Sequence, residues 1–309
     1  MEVICRGLPK LHSLRLSGNR FTSLDVPVEV ERQDGTLGTG FDNITSLELE
    51  ETLLSWDELA KVIPLVPLLK TLDLSLNGLS CIPETINNTP ASKLITSSLT
   101  ELKLERNSFT TISSLLPLSL LPNLRKLLLA RNQISSIHLP GEELEFPIVF
   151  EELRYLDLSF NSIHNFKFID AINVHFPNME GLRIAHNPIY EAPGMGTDEA
   201  HMLTIGRLSW KVRLLNFTTI TIQDRTNAEL YYLNRIAKEL GEAVEKEKEM
   251  IIKNHPRWDE LCKAHGAPLV SRGIEADRQC LGKNLIGKEL KAAHFNYPKL
   301  TVIFFFCRH

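Results

Sequence analysis

The chain has 309 residues, with 34 Lys and Arg side chains against 38 Asp and Glu side chains and a formal net charge of −4. This small negative charge gives no electrostatic reason to bind nucleic acid or an acidic membrane surface, so we expect neither as a partner. Hydrophobic residues make up 43% and charged residues 23%, which is the balance of a folded globular protein rather than a disordered one.

The cysteines and the apolar stretches indicate where the protein works. Five cysteines are scattered without a CxxC pair, so neither a disulfide framework nor a zinc cage is predicted. The first residues lack the apolar region of a secretory signal, and no stretch approaches the roughly 18 apolar residues that cross a bilayer. We therefore expect a cytoplasmic protein with reduced thiols.

One pattern, LxxLxLxxNxL, recurs seven times in the first two thirds of the chain, with starts 25 to 33 residues apart. Such a period is typical of leucine-rich repeats, in which each unit buries its leucines against its neighbours. We predict an α/β leucine-rich repeat solenoid over residues 1–222, with a curved parallel sheet and with helices and turns on the convex side. The copies begin at Leu11, Ile44, Leu69, Leu99, Leu124, Leu153 and Met179.

Strand periodicity within each copy separates the core from the surface. Leu14 and Leu16 point into the core, and Arg15 between them points to solvent. The asparagine after the strand can pair backbone groups where the chain leaves the sheet. The second copy has Thr52 at this place, which predicts a looser turn. We predict a buried structural ladder formed by Asn19, Asn77, Asn107, Asn132, Asn161 and Asn187.

The segments between the strands carry helical signals. Ser55 followed by Glu58 is a capping-box pattern, and Trp56 lies on an apolar helical face. Trp56 is therefore predicted to pack in the core rather than to hold a ligand. Residues 115–121 and 168–176 are expected to cover the convex side of later repeats.

The residues after the seventh copy predict the end of the solenoid. VRLLNFTTI, from Val212, carries an imperfect eighth strand, and residues 223–268 change to helical period, which predicts a helical cap and extension. Residues 269–309 are predicted to form a linker and the truncated start of a β-rich domain. The apolar stripe of the first cap helix is expected to contain Leu230, Leu233, Ile236, Ala237 and Leu240.

The sequence contains no catalytic signature. HExxH, GxSxG and GxxxxGK[ST] are all absent, so we predict a protein that is not an enzyme and has no cofactor. Cys262 and His265 resemble half of a metal site, but no second pair follows at zinc spacing, so no metal site is predicted.

The outward positions of the strands remain as the candidate binding surface, because they are free of core packing and form one continuous concave face. We expect acidic residues in repeats two to four and a basic and aromatic group after them. Such a bipolar face suits a protein partner of complementary charge. The candidate partner-binding residues are Arg15, Glu48, Glu50, Asp73, Lys103, Glu105, Lys126, Tyr155, Asp157 and Arg183, joined on the same face by Glu101 and Leu128.

Several segments together resemble the tubulin-specific chaperone E proteins, also called tubulin-folding cofactor E. They are ITSLELEETLLSWDELAKVI, IGRLSWKVRLLNFTTITIQDRTNAELYYLNRIAKEL and HPRWDELCKAHGAP, and the resemblance covers about Leu8 to Val270. The stretch LLNFTTI…DRTNAELYYL is much more specific than the repeats. We expect this chain to lack the family's CAP-Gly domain and most or all of its ubiquitin-like domain.

The resemblance implies a cytoplasmic, cytoskeleton-associated folding cofactor. It would bind α-tubulin and, with other tubulin-folding cofactors, take part in assembly or dissociation of the α/β-tubulin dimer, without covalent chemistry. We expect a monomer in which charge reversal at Asp73 together with Asp157 weakens capture without lowering thermal stability. The alternative is a leucine-rich regulatory subunit that binds a type-1 protein phosphatase or another protein, although repeats near 22 residues are usual there.

Overall fold

The computed structural model describes residues 10–21, 41–85, 98–138, 141, 148–191 and 194–270, together with the backbone of 30–31, 37–38, 86 and 89–90. The predicted linker and β-rich start at 269–309 lie outside the described residues from 271 onward.

A nine-stranded curved sheet runs through the described part of the chain. The strands in sheet order are β1 (Ser13–Arg15), β4 (Ser46–Glu48), β5 (Thr71–Asp73), β8 (Glu101–Lys103), β9 (Lys126–Leu128), β10 (Tyr155–Asp157), β11 (Gly181–Arg183), β12 (Leu214–Leu215) and β13 (Thr218–Thr219). Neighbours pair in parallel as far as β12, and β13 pairs with β12 in the antiparallel sense. Two short hairpins lie outside this sheet, formed by β2 (Val30–Glu31) with β3 (Leu37–Gly38) and β6 (Thr85–Ile86) with β7 (Thr89–Pro90).

The leucines of the repeat pattern form the core of this sheet. Leu47, Leu72 and Leu102 stand opposite one another in register on successive strands and are at most 1% exposed. Because side chains alternate along a strand, the residues on either side of each leucine face the concave surface. The chain is therefore a leucine-rich repeat solenoid, as the sequence predicts.

Short helices cover the convex side of the sheet. Helix α1 (Trp56–Val62) begins after Ser55, whose hydroxyl accepts a hydrogen bond from the Glu58 amide. The Trp56 ring is partly buried against the core, and its Nε1 donates to the Cys81 carbonyl at 2.8 Å. Later turns use helix α2 (Lys167–His175) and 3-10 helices at Ile63–Leu65, Ser113–Leu120 and Pro188–Tyr190.

The motif asparagines join successive repeats through their side chains. The Asn161 amide nitrogen donates to the carbonyls of Leu129 and Leu158, and its Oδ1 accepts from the Ile134 amide. The same arrangement recurs from Asn77 to Asn187. The first member differs, because Asn19 is exposed and donates to carbonyls of its own turn.

Thr52 replaces asparagine in the second repeat without loosening its turn. Thr52 is fully buried, and its hydroxyl donates to the Leu49 carbonyl at 2.9 Å. Its amide donates to Oδ1 of Asn77 in the next repeat. The expectation of a looser turn is wrong because the hydroxyl and the neighbouring asparagine satisfy the backbone groups there.

Within the residues up to 270 that the structure describes, four helices follow the last full repeat: α3 (Thr197–Arg207), α4 (Ile222–Glu242), α5 (Glu245–Lys253) and α6 (Trp258–His265). Thr221 and Asp224 form a reciprocal capping box at the start of α4. Helices α3 and α4 approach so closely that a Cβ on Gly206 would lie 2.7 Å from the Ala228 carbonyl oxygen. The buried stripe of α4 contains Tyr232, whereas Leu230 is 40% exposed, so the predicted stripe is wrong at that position.

Candidate functional site

The concave face carries a central row of side chains, one from each repeat. The strand register sets these residues opposite one another across the sheet. A second row lies two residues earlier on each strand and includes Glu101, Lys126 and Tyr155. The central row consists of Arg15, Glu48, Asp73, Lys103, Leu128, Asp157 and Arg183.

Opposite charges in these rows pair across neighbouring strands. In the central row Arg15 contacts Glu48 at 2.9 Å, and Lys103 contacts Asp73 at 3.5 Å. Arg183 contacts Asp157 at 3.1 Å in the same way, and in the second row Lys126 contacts Glu101 at 3.3 Å. The expected separation into an acidic and a basic end is therefore largely cancelled, since much of the charge is neutralised within the face.

Asp73 and Asp157 are built into the backbone turns that follow their strands. Asp157 is 3% exposed, and its Oδ1 accepts from both the amide and the hydroxyl of Ser159. Asp73 Oδ1 accepts from the Ser75 amide at 3.0 Å. Charge reversal at these two positions would place a buried cation next to Lys103 and another next to Arg183, the cations that now pair with the two aspartates. The expectation that the exchange leaves stability unchanged is therefore wrong.

Two carboxylates of the face, Glu50 and Glu105, have no ion-pair partner among the residues that the structure describes. Glu105 is half-buried near the middle of the face. Burial raises its pKa, and the nearby charges of Asp157 and Asp73 raise it further, while Lys103 and Arg183 act in the opposite direction. A carboxylate that is half-buried, close to other negative charges and without an ion pair among the described residues is available to a cationic group of a partner.

Tyr155 gives the face an aromatic surface. Its ring lies against the backbone of Gly181 on the next strand, where an added Cβ would come within 2.7 Å of Cδ2. The Lys126 ammonium stands 5.8 Å from the ring centroid on the other side. Burial, followed by the charge of Asp157, raises the pKa of Tyr155, so the phenol stays neutral and can donate a hydrogen bond.

The structure adds a row that the sequence analysis did not single out. The residue directly before each motif asparagine or Thr52 has positive φ. We call this set, together with Phe217, the rim row. Its members are Gly18, Glu51, Leu76, Arg106, Arg131, Phe160, His186 and Phe217.

The later part of the rim row forms a stack of cations and rings. The Arg131 guanidinium lies 4.1 Å from the Phe160 ring centroid, and Phe160 stacks on His186 at 4.1 Å. Phe217 is 66% exposed, with the Arg183 guanidinium 4.7 Å from its ring. Aromatic and arginine side chains supply much of the binding energy at protein interfaces. Reading the column before each motif asparagine in the sequence would have found Arg131, Phe160 and His186, but not Phe217, which follows Asn216.

A buried polar network joins the two cap segments that carry the resemblance stated above. Arg257 is 5% exposed, contacts Glu229 at 2.8 Å and donates to the carbonyls of Gly206 and Leu208. His265 contacts the other oxygen of Glu229 at 2.8 Å. Burial alone would raise the pKa of Glu229, but hydrogen bonds from His265 and Arg257 lower it overall. The distinctive residues of these segments therefore hold the cap together.

A second part of the network reaches α2, the convex helix of the sixth repeat. His255 Nδ1 lies 2.9 Å from the Tyr232 hydroxyl, and His255 Nε2 lies 3.0 Å from Glu239. Arg207 pairs with Asp170 of α2 and stacks over the Tyr232 ring. Hydrogen bonding to His255 lowers the pKa of Glu239.

Two further kinds of site, a metal site and a membrane span, concern the part of the chain that the structure describes. No group of three or more His, Cys, Asp or Glu side chains there is arranged to hold a metal ion. His265 is engaged by Glu229, while Cys262 packs beside the apolar cluster of the cap. Within the same residues, no helix has both the length and the apolar character needed to cross a bilayer.

Sequence comparison shows which proteins the chain is similar to. It is 30% identical to rat (Rattus norvegicus) tubulin-specific chaperone E over 75% of this chain and 43% of that protein. It is 27% identical to the mouse (Mus musculus) protein of that name over 97% of this chain and 55% of that protein. It is 29% identical to tubulin-folding cofactor E of Arabidopsis thaliana over 85% of this chain and 46% of that protein. The chain thus spans about half the length of these curated relatives.

No protein-family model matches the chain. Among solved structures, the Drosophila melanogaster SNF/U2A' complex has a chain with 21% identity and a TM-score of 0.36, covering 59% of this chain and 87% of that one. A chain of the TLR13–ssRNA13 complex has 19% identity and a TM-score of 0.42, and the match covers 66% of this chain and 32% of that one. It is the sequence relatives that show this chain to be similar to the tubulin-specific chaperone E proteins along its leucine-rich repeats and the helices after them.

Proposed function

We propose that the chain is a non-enzymatic scaffold for tubulin folding. In this proposal it binds α-tubulin and, together with other tubulin-folding cofactors, takes part in assembly or dissociation of the α/β-tubulin dimer. The observation that carries the proposal is the similarity to tubulin-specific chaperone E proteins over 75–97% of the chain. These names favour the proposal over a phosphatase regulatory subunit. We further propose that the protein acts as a monomer in the cytoplasm, in association with the cytoskeleton.

The geometry of the concave face supports a binding role. Its strands and asparagine ladder are fixed by backbone bonds, and its charged pairs are already formed before any partner arrives. A preorganised surface of this kind loses little conformational entropy on binding. We therefore place the binding energy in the groups that are not used up internally, namely Glu105, Tyr155 and the stacked Arg131 and Phe160 of the rim row.

The partner surface that fits this arrangement combines a cation with apolar or flat groups. A lysine or arginine of the partner would pair with Glu105, whose pKa is raised by burial and by the charges of Asp157 and Asp73. Aromatic or aliphatic groups would cover Tyr155 and the Arg131–Phe160 stack. Arg15, Glu48 and the other paired charges of the central row would set orientation more than affinity.

Size-exclusion chromatography with light scattering tests the proposal. The purified chain is mixed with α/β-tubulin, and we expect co-elution or a shift of the tubulin dimer toward its subunits. The variant Tyr155→Ala combined with Arg131→Glu should weaken the interaction by at least roughly tenfold, because both side chains are interface anchors. Lys246→Glu, on the exposed first turn of α5, is the matched control and should bind like the original chain.

Two results would contradict the proposal at different levels. Failure of the folded, monodisperse chain to bind tubulin would remove the tubulin-folding role. Equal binding by the Tyr155/Arg131 variant and the Lys246 control would keep that role but remove the concave face from it. Far-UV circular dichroism on each variant verifies that loss of binding does not come from loss of fold.

A further inference from the structure

A groove lies at the opposite end of the strands from the rim row. It has a volume of about 330 Å³ and is lined by Arg154, Asn178, Glu180, Trp210, Lys211 and Arg213. We call it the Trp210 groove. Three of its lining residues directly precede β10, β11 and β12, so the sheet itself spaces them.

Trp210 gives the groove an uncovered aromatic wall. Its side chain is 63% exposed, although tryptophan is usually largely buried in a folded chain. Exposed indole rings are enriched where proteins contact one another, because they offer a large rigid surface with few torsions to fix.

Three cations surround this wall. The Lys211 ammonium is held in place by the Pro177 carbonyl at 2.9 Å and by Oδ1 of Asn178 at 2.8 Å. Arg154 is anchored through its Nη1 to the Glu151 carbonyl. Arg213 is exposed and has no ion pair with any residue that the structure describes. Two of the positive groups are therefore positioned in advance, and the third is open to solvent.

The negative charge within the groove does not balance these cations. Glu180 is the one carboxylate in the lining, is 68% exposed, and stays 3.8 Å from Arg154 Nε. Outside the lining, Glu152 also lies 3.8 Å from Arg154, but it is shared with Arg125. Contacts of that length between exposed groups contribute little. The groove keeps a formal charge of about +2, on a chain whose total formal charge is −4. The positive charge is thus local rather than a property of the whole protein.

We propose that the Trp210 groove binds an acidic segment of a partner protein. Carboxylates of the segment would pair with Lys211 and Arg213, while its backbone or an aromatic side chain would lie on the indole. A nucleic acid is a poorer occupant, because its affinity grows with the number of phosphates neutralised and the lining of the groove has only three cationic side chains. This surface is separate from the concave face, and the inference holds whichever partner that face binds.

The test measures fluorescence anisotropy of a labelled synthetic peptide made of glutamate and glycine with one tyrosine, titrated with the full chain. A peptide with lysine in place of every glutamate is the charge control. We expect binding of the glutamate peptide that weakens with added salt, and no binding of the lysine peptide. Arg213→Glu and Trp210→Ala should each weaken binding by roughly tenfold. Lys246→Glu changes the net charge as Arg213→Glu does but should leave binding unchanged.

Three outcomes would overturn the inference. One is that the glutamate peptide does not bind the folded chain at low salt. Another is that Arg213→Glu and Lys246→Glu reduce binding equally, which would mean that net charge and not the groove attracts the peptide. The third is that a single-stranded oligonucleotide of equal charge binds more tightly and loses affinity in Trp210→Ala, which would make the groove a nucleic-acid site. Arg213→Gln repeats the test if Arg213→Glu fails to fold.

Discussion

Replacing Asn161 by alanine should cost several kilocalories per mole, although the side chain touches no ligand. The Ile134 amide would lose the Oδ1 acceptor that the structure gives it, and an unsatisfied buried donor costs about 1–3 kcal/mol. The bonds to the Leu129 and Leu158 carbonyls, worth about 0.5–1.5 kcal/mol each, would also be lost. These carbonyls keep second donors from Asn132 and Asn187, so they are not left unpaired.

The expected loss is therefore about 2–6 kcal/mol, against the 5–15 kcal/mol that typically stabilises a domain. Asn19→Ala removes the same group from the same motif position, but Asn19 is exposed and its bonds stay within its own turn. That control should cost less than about 1 kcal/mol. Asn161→Thr should fall between the two, because Thr52 shows that a hydroxyl at this position can still donate to the strand carbonyl.

Urea unfolding at neutral pH, followed by circular dichroism and tryptophan fluorescence, measures these differences. Because repeats couple to their neighbours, a lesion in the middle of the array should move the midpoint of the whole transition. The reasoning is refuted if Asn161→Ala and Asn19→Ala agree within about 0.5 kcal/mol, since burial of the ladder would then have no energetic consequence.

Three further substitutions probe the cap and the rim row. Arg257→Met should lower the free energy of unfolding by about 3–5 kcal/mol, because it leaves Glu229 buried without its guanidinium; a thermal melt compares it with Lys238→Met at an exposed pair, where no measurable change is expected. The lowered pKa of Glu229 contributes stability that is present above its unfolded pKa of about 4.3 and is lost as pH falls through the lower folded value. Acid should therefore destabilise the original chain more than the Glu229→Gln variant, which urea titrations across that pH range measure. Arg106 has φ of 53°, so Arg106→Val should be less stable than Arg106→Gly by about 1–2 kcal/mol, and equal midpoints in urea would contradict the strain assigned to this position.

Local sequence pattern was enough to predict the strands. Leu47, Leu72 and Leu102 are buried in register because side chains alternate with period two and the repeat sets the spacing between copies. The outward row could be predicted for the same reason. What a single strand cannot reveal is its neighbour, so the pairing of Lys103 with Asp73 and of Arg183 with Asp157 came only from the register.

The cap was predicted less well, because a helical period gives the existence of a buried stripe but not which helices it meets. Leu230 proved to be partly exposed and Tyr232 fully buried, since α3 and the segment around His255 decide which side of α4 is covered. Arg257, Glu229 and His265 are far apart in the chain and meet only through the packing of α4 and α6.

The sequence by itself determined the solenoid, the alternation of buried and outward residues and the positions of the motif asparagines, because these depend on short-range periodicity. Only the tertiary structure decided which charges on the concave face are neutralised, that Arg131, Phe160 and His186 stack along the rim row, and that Trp210 stands beside three cations. Such neighbours come from different repeats, and the distance between them depends on the insertions, the twist and the register that stack one repeat on the next.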